Sequence, residues 1–267
     1  MNIGAHIPSK NAIDEISYRK GDTFQIFISS PQMWKSPKPR EDAEILQDFN
    51  GNIYVHAPYL INVATPNNKV RHPSRKLLKD TCKVASTFGA KGVVVHGGSV
   101  GEGGDINTGY DNWKKALEHV EDTGMKVLVE NTAGGKNSVA RYMDSIERLW
   151  EVIGHLNVGL CLDTCHTWAG GIPTIDAVKG FKKLVKKIDL IHFIFKLQLV
   201  TCKNSNLSSQ SLIPLLLVST YDSETSFLAF VIKSVITGTF AKTDTGAADA
   251  ACAAKACLLY TSPSPRD

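Results

Sequence analysis

Seven short apolar runs, each followed by a stretch long enough to cross back over a sheet, govern what this chain can fold into. They are NIGAHI (2–7), TFQIFI (23–28), NIYVHA (52–57), GVVVHGG (92–98), KVLVEN (126–131), VGLCLD (158–163) and LIHF (190–193). Between the later runs lie segments of helical period: PSRKLLKDTCKVASTFGA, DNWKKALEHVEDTG, SVARYMDSIERLWEVIG and TIDAVKGFKKLVKKI. Near-continuous apolar strands alternating with amphipathic helices are the pattern of a parallel sheet covered by helices. A chain of 267 residues matches the roughly 250 that one α/β barrel needs. The expected fold class is therefore α/β, a TIM (β/α)8 barrel. Seven strands are countable where the barrel needs eight, so the barrel is expected to be incomplete, with its eighth strand missing.

The ends of the runs carry the chemistry. NIYVHA places His56 there, GVVVHGG places His96, KVLVEN places Glu130 and VGLCLD places Asp163, with His166 three residues later; LIHF carries His192. In a parallel barrel these C-terminal ends converge on the face that holds the active site. One histidine at a strand end is usually a hydrogen-bonded core residue. Five successive strands each delivering an imidazole or carboxylate to one face are a metal-ligand pattern, suited to zinc, manganese or iron(II). More ligands than one ion takes imply more than one ion, with a carboxylate bridging. Two close metals are a common device for phosphodiester hydrolysis: they generate a hydroxide and stabilise both the attacking and the leaving oxygen.

The loops beyond the strands add weaker signals. In HAPYLIN, Tyr59 and Leu60 follow the ligand His56 on the same rim. They either wedge into a base stack or pack the loop, and the sequence favours neither. In ISSPQMWKSPKPRE, Trp34 is surrounded by Lys35, Lys38 and Arg40; a basic, proline-stiffened loop suits phosphate contacts, and a solvated loop reads the same way. GGSVGEGGD lacks the Lys-Ser/Thr of a nucleotide-binding P-loop. His6 either lines the site or is a satisfied core histidine. His72, His119 and His155 are expected on the surface, as are Lys182, Lys183, Lys186 and Lys187 on the last helix. Cys161 and Cys165 flank Asp163 and are read as small buried thiols.

The net charge of +4 permits a nucleic-acid partner through a local basic patch and does not demand one. Six cysteines without a CxxC pair read as reduced thiols of an intracellular protein. The opening MNIGAHIPSK has no apolar signal core. Runs such as LIPLLLV and FLAFVI are far short of the roughly 20 residues that span a bilayer. A soluble chain without membrane association is expected.

HAPYLIN, VHGGS, VENTAG and CLDTCH, with the opening IGAHIPS and FQIFISSPQMW, resemble the endonuclease IV family of zinc-dependent apurinic/apyrimidinic endonucleases across residues 1–193. The resemblance implies a TIM barrel of the xylose-isomerase-like type holding three zinc ions. The implied activity is a base-excision-repair hydrolase that cuts double-stranded DNA on the 5′ side of an abasic site, acting as a monomer. Carried over, His56 and His96 would bind the first zinc, and Glu130 would bridge to the second and position the nucleophilic hydroxide. Asp163 and His192 would bind the second zinc, and His166 the third. Tyr59 and Leu60 match residues that help open DNA at the lesion. Trp34 falls in the matching DNA-binding loop, and Gln32 stands where some relatives place an inserting Arg. An abasic nucleotide has no base to unstack, so flipping it out costs less than flipping an intact one.

After residue 193 the pattern stops. No histidine follows His192, and Glu224 is the only Glu beyond it. The Asp-x-His pair and the strand-end Glu that the resemblance implies there are not in the sequence. Two segments are therefore expected: a barrel over 1–193 and an aberrant, low-complexity tail over 194–267. The last eleven residues, CLLYTSPSPRD (257–267), read as a translated sequencing-library adapter. LIPLLLVST resembles a final strand but comes too soon after His192 and is read as chance. With an open barrel and fewer zinc ions, this chain is expected to fold poorly and to be impaired. Two other readings fit a barrel of this kind: a sugar isomerase or epimerase, and a non-catalytic binder of abasic DNA.

Overall fold

A computed structural model describes residues 2–135, 137–185 and 187–193, and the backbone of residues 215–218. Seven parallel strands form in chain order: β1 (Asn2–His6), β2 (Thr23–Ile26), β3 (Asn52–His56), β4 (Gly92–His96), β5 (Val127–Glu130), β6 (Val158–Asp163) and β7 (Leu190–His192). Each pairs with the next in parallel register. The helices between them are α1 (Ala12–Tyr18), α2 (Ala43–Gln47), α3 (Asn68–Ser86), α4 (Ile106–Val120), α5 (Met143–Ile153), α6 (Thr164–Ala169) and α7 (Thr174–Leu184). The seven expected strands and the four expected helices, α3, α4, α5 and α7, all form; α1, α2 and α6 are additional.

The strands from β2 on are buried almost end to end, because helices cover one side and the barrel interior the other. Side chains alternate across each strand. One parity, including Phe24, Ile53, Val55, Val93, Val95, Val129, Leu160 and Leu162, faces outward and packs with the helices into the main core. The other parity points inward. Its lower layer is a small apolar plug of Tyr54, Val94, Leu128, Cys161 and Leu190. Two residues further along the same five strands come His56, His96, Glu130, Asp163 and His192. The period of two that fills the barrel bottom with apolar atoms therefore stacks a polar layer above it.

Helix boundaries follow local chemistry. Asn67 caps α3, its side chain accepting from the Lys69 N–H at 3.0 Å, so the helix begins before Pro73, where the sequence pattern placed its start. Asp105 caps α4 in the same way through Asn107. The indole of Trp113, fully buried on α4, donates to the Gly97 carbonyl at 2.6 Å and fixes the turn just beyond His96.

A parallel eighth strand is absent among the described residues, as expected, but the gap is not open. Leu215–Val218 forms a short strand, β8, antiparallel to its neighbours. It pairs with β1 over four positions, Asn2↔Val218 to Ala5↔Leu215, and with β7 at Ile191↔Leu217, closing the barrel. This corrects the reading of LIPLLLVST as chance and the expectation of two unpaired edges: an apolar run beside two exposed strand edges satisfies their backbone groups. Its direction has a functional consequence. The C-terminal residue Val218 lies beside Asn2, at the end of the barrel away from His6, so this strand does not bring its C-terminus to the polar layer. The rest of the expected tail, 194–214 and 219–267 with its adapter-like end, lies outside the described residues.

Candidate metal centre

Glu130 is the hub of the polar layer. It ends β5, is 1% exposed, and its two oxygens face four imidazoles. Oε2 lies 3.1 Å from His56 Nε2 and 3.3 Å from His96 Nε2; Oε1 lies 3.0 Å from His192 Nδ1 and 3.4 Å from His166 Nδ1. Asp163 completes the group, its Oδ2 lying 3.8 Å from His192 Nδ1 and its Oδ1 3.9 Å from His166 Nδ1. All six strand-end residues singled out from the sequence therefore meet in one buried cluster. Within it, three sets hold ligand atoms close enough for one ion each: His56, His96 and Glu130; Glu130, Asp163 and His166; and Glu130, Cys161 and His192.

The donor set fits a divalent cation. His56 Nδ1 donates to the Ala57 carbonyl at 2.7 Å. In the neutral ring this leaves the lone pair on Nε2, aimed at a carboxylate oxygen with which it cannot hydrogen-bond. A backbone partner on one ring nitrogen is the usual means of presenting the other to a metal. His96 Nε2 is buried and makes no hydrogen bond among the described residues, although the carboxylate lies close by. A buried nitrogen of this kind needs a partner, and a cation between His56, His96 and Glu130 supplies one.

Electrostatics agree. Burial alone would raise Glu130, but the nearby imidazoles of His192 and His96, with the ring nitrogens of His192 and His56 close against its oxygens, hold its carboxyl well below the usual range. Burial pushes Asp163 up, with Glu130's charge adding to it against His166 and His192. Burial opposes charge on His166, yet Asp163, Glu130 and the Asn131 carbonyl outweigh it and raise the imidazole. His56 is lowered, chiefly by burial. Buried carboxylates whose ionisation is set by converging imidazoles are common at functional sites and occur in structural ion-pair networks as well.

Sequence reasoning missed the residues that hold this layer in place. Asn131, next to the hub, accepts the Asp163 N–H at 2.7 Å and donates to the Asp163 carbonyl at 3.1 Å. Its own carbonyl takes His166 Nδ1–H at 2.8 Å. Asp163 also caps α6, accepting the His166 N–H at 2.7 Å, which is why CLDTCH turns directly from strand into helix. His6 lines the site, its ring 4.6 Å from Phe27 and its Nδ1 2.9 Å from Gln25 Nε2. Gln25 reaches on to His192. A glutamine on the inward parity of an otherwise apolar strand was the available signal for it. Cys161 is a buried free thiol, pushed well up by burial and by Glu130 and Asp163. Cys165 is disulfide-bonded, which departs from its reading as a reduced thiol.

The rim loops divide. Tyr59 is half-buried, stacked on His96 with ring centroids 5.7 Å apart and edge-on to His56 and Phe27; Leu60 beside it is half-buried as well. The Tyr59 N–H donates to the Pro31 carbonyl at 2.9 Å, joining this loop to the one after β2. There Gln32 and Lys35 are exposed and Trp34 is 45% exposed. Arg40 departs from the phosphate-contact reading: its guanidinium is held by Asp42 at 2.7 Å and the Ser9 carbonyl at 2.8 Å. His72, His119 and His155 are on the surface, as are Lys183 and Lys187, with Lys182 half-buried.

His6 gives the site an acid sensitivity. Burial, with repulsion from His56 and His192, lowers its imidazole to about 3. Between that value and the ordinary 6.5 the unfolded chain binds the proton and the folded chain does not, so stability falls as pH falls through this window. Thermal melts of the metal-free chain should therefore show a midpoint that drops from pH 6.5 toward 4. His6→Leu should flatten that slope; an unchanged slope would rule His6 out as its source.

The comparisons with known proteins agree with this geometry. A family model described as a xylose isomerase-like TIM barrel matches residues 18–200. A probable endonuclease 4 of Mycobacterium tuberculosis is 50% identical over 192 residues, covering 72% of this chain and 76% of the relative. One from Mycobacterium marinum is 47% identical over the same length. Among solved structures, endonuclease IV from Thermus thermophilus superposes with a TM-score of 0.62 at 26% identity, covering 72% of this chain and 76% of that one. A 3-keto-D-glucoside 4-epimerase from E. coli gives 0.58 at 11% identity over 96% of this chain and 97% of that one, a likeness of fold alone. The converging imidazoles and carboxylates, the barrel and these relatives together place the chain in the endonuclease IV family of xylose isomerase-like TIM barrels.

Proposed function

We propose that this chain is a zinc-dependent endonuclease that hydrolyses the phosphodiester on the 5′ side of an abasic site in double-stranded DNA, acting inside the cell as a monomer. The observation that carries the reading is Glu130, a buried carboxylate with four imidazoles within 3.4 Å, in a chain half identical to proteins named probable endonuclease 4. His56, His96 and Glu130 would hold one ion. Glu130, Asp163 and His192 would hold a second, and His166 stands ready for a third. When bound, the ions supply Lewis acidity at the phosphate and lower the pKa of water. The chain's own contribution is placement. Glu130 spans the metal positions, Asn131 orients Asp163 and His166, and the buried plug beneath keeps water from entering from below. Tyr59 and Leu60 on the rim, with exposed Trp34 and Gln32 on the neighbouring loop, form the surface that meets the opened duplex.

Activity is proposed to be impaired. The histidine and glutamate that would complete the second and third ions are missing after His192, and β8 runs the wrong way to deliver a carboxylate from its C-terminal end. Purified chain should bind fewer than three zinc ions and cut an abasic duplex slowly. The assay is metal content by mass spectrometry beside incision of a labelled duplex carrying one abasic analogue. Binding without incision would make the chain a lesion binder. Three ions with rapid incision would overturn the impairment, and neither binding nor cutting would overturn the nuclease reading itself.

A further inference from the structure

Gln25 is a buried amide in a strand otherwise given to apolar packing: it is 2% exposed, between Phe24 and Ile26, which are fully buried. Its oxygen lies 3.0 Å from His192 Nε2 and its nitrogen 2.9 Å from His6 Nδ1. The two contacts fix each other. An amide oxygen only accepts and an amide nitrogen only donates. With the nitrogen committed to His6 Nδ1, the oxygen is left to accept a proton from His192 Nε2. His192 then presents Nδ1 to the cluster, where it lies 3.0 Å from Glu130 and 3.8 Å from Asp163. His6 is in turn held by its contact with Phe27.

We infer that Gln25 is a positioning residue of the metal centre, which sets the tautomer and ring orientation of His192 through a His6–Gln25–His192 relay and so directs Nδ1 at the ion shared with Glu130. The inference rests on the metal-centre reading above. Gln25 holds the ring so that Nδ1 faces Glu130 at 3.0 Å, the side from which an ion would be bound. The relay joins β7 and β1, the two strands that β8 pairs with, through β2. The ring is thus held from the β1–β2 side of the barrel.

The test uses the full chain, cobalt(II) as the probe ion read by its absorption spectrum in competition with a chelator, and nitrogen-15 NMR of the histidine rings with zinc bound. Gln25→Leu should weaken the ion at His192 by about 10–100-fold, the usual cost of removing a partner behind a metal-bound histidine. The ion at His56 and His96 should keep its affinity. His192 should carry its proton on Nε2 in the parent and lose that single tautomer in Gln25→Leu. Gln25→Glu keeps an acceptor facing Nε2 and should retain most of the affinity. Unchanged cobalt binding in Gln25→Leu, or a proton on His192 Nδ1 with zinc bound, would overturn the relay. If Gln25→Leu fails to fold, Gln25→Glu decides, because a loss there as large as that of His192→Ala also overturns it. A parent chain that binds no cobalt overturns the metal centre, and the relay with it.

Discussion

Glu130→Gln should strip the ions from the centre and reduce incision by on the order of 100–5,000-fold. Among the described residues, every set of side chains that can hold an ion includes Glu130, so one substitution removes the shared anionic ligand from all of them. The amide keeps the volume and so leaves the packing alone; what is lost is the negative charge amid four imidazoles. Breaking a buried charge pair costs about 3–5 kcal/mol, and each 1.36 kcal/mol is a factor of ten, which gives the range above. Because the parent's activity is itself proposed to be low, metal content is the more sensitive readout, with circular dichroism confirming an intact fold. A variant that keeps the parent's zinc content would show that Glu130 is a structural acceptor and not the bridging ligand.

Gly4→Ala should be the most destabilising small substitution in the barrel wall. Gly4 lies on the inward parity of β1, paired with Thr23 of β2 on one side and with Leu216 of β8 on the other. A Cβ at this position would stand 1.5 Å from the Thr23 carbonyl oxygen. The obstacle is backbone, so no rotamer change relieves it and the strands must part. Overpacking of this sort costs about 3 kcal/mol, which in a chain of this size is a melting midpoint lower by about 10 °C. Strand separation here would also disturb His6, two residues along, and with it Gln25. Gly4→Ala should therefore weaken cobalt binding at His192 as well. A midpoint unchanged within a degree or two would show that β1 has room to move and that β8 closes the barrel only loosely.

The site was largely legible because a parallel barrel converts a one-dimensional fact into a three-dimensional one. His56, His96, Glu130, Asp163 and His192 occupy equivalent places at the ends of consecutive buried strands, and parallel pairing brings such places together whatever lies between. Asp163 and His166 were legible as a pair because a strand end that caps its own helix leaves only two residues between them. His6 remained open between two readings, since one strand-end histidine alone does not distinguish a site residue from a satisfied core one. Gln25 and Asn131 were not seen: their roles are hydrogen bonds to groups far away in sequence, 167 residues in the case of Gln25 and His192. Arg40 looked available for phosphate because its partners Asp42 and Ser9 are a matter of loop geometry. Tyr59 was left open between wedge and packing. The structure shows its ring resting on His96 and His56 while half-buried at the rim.

By itself, the sequence determined the strand order and the six side chains that converge, because burial on two faces and a period of two leave little freedom. It also determined what is lacking beyond His192, because a ligand that is not encoded cannot be folded into place. Only the tertiary structure decided how the barrel closes. Any apolar segment can satisfy two open edges, and whether it runs parallel or antiparallel depends on the path of the chain before it. Here Leu215–Val218 pairs antiparallel, so closure restores backbone hydrogen bonds without restoring chemistry. The tertiary structure also decided which ring nitrogen of His56 and of His192 faces the centre. That choice belongs to the Ala57 carbonyl and the Gln25 amide, and each acts only once the strands have brought it within hydrogen-bonding distance.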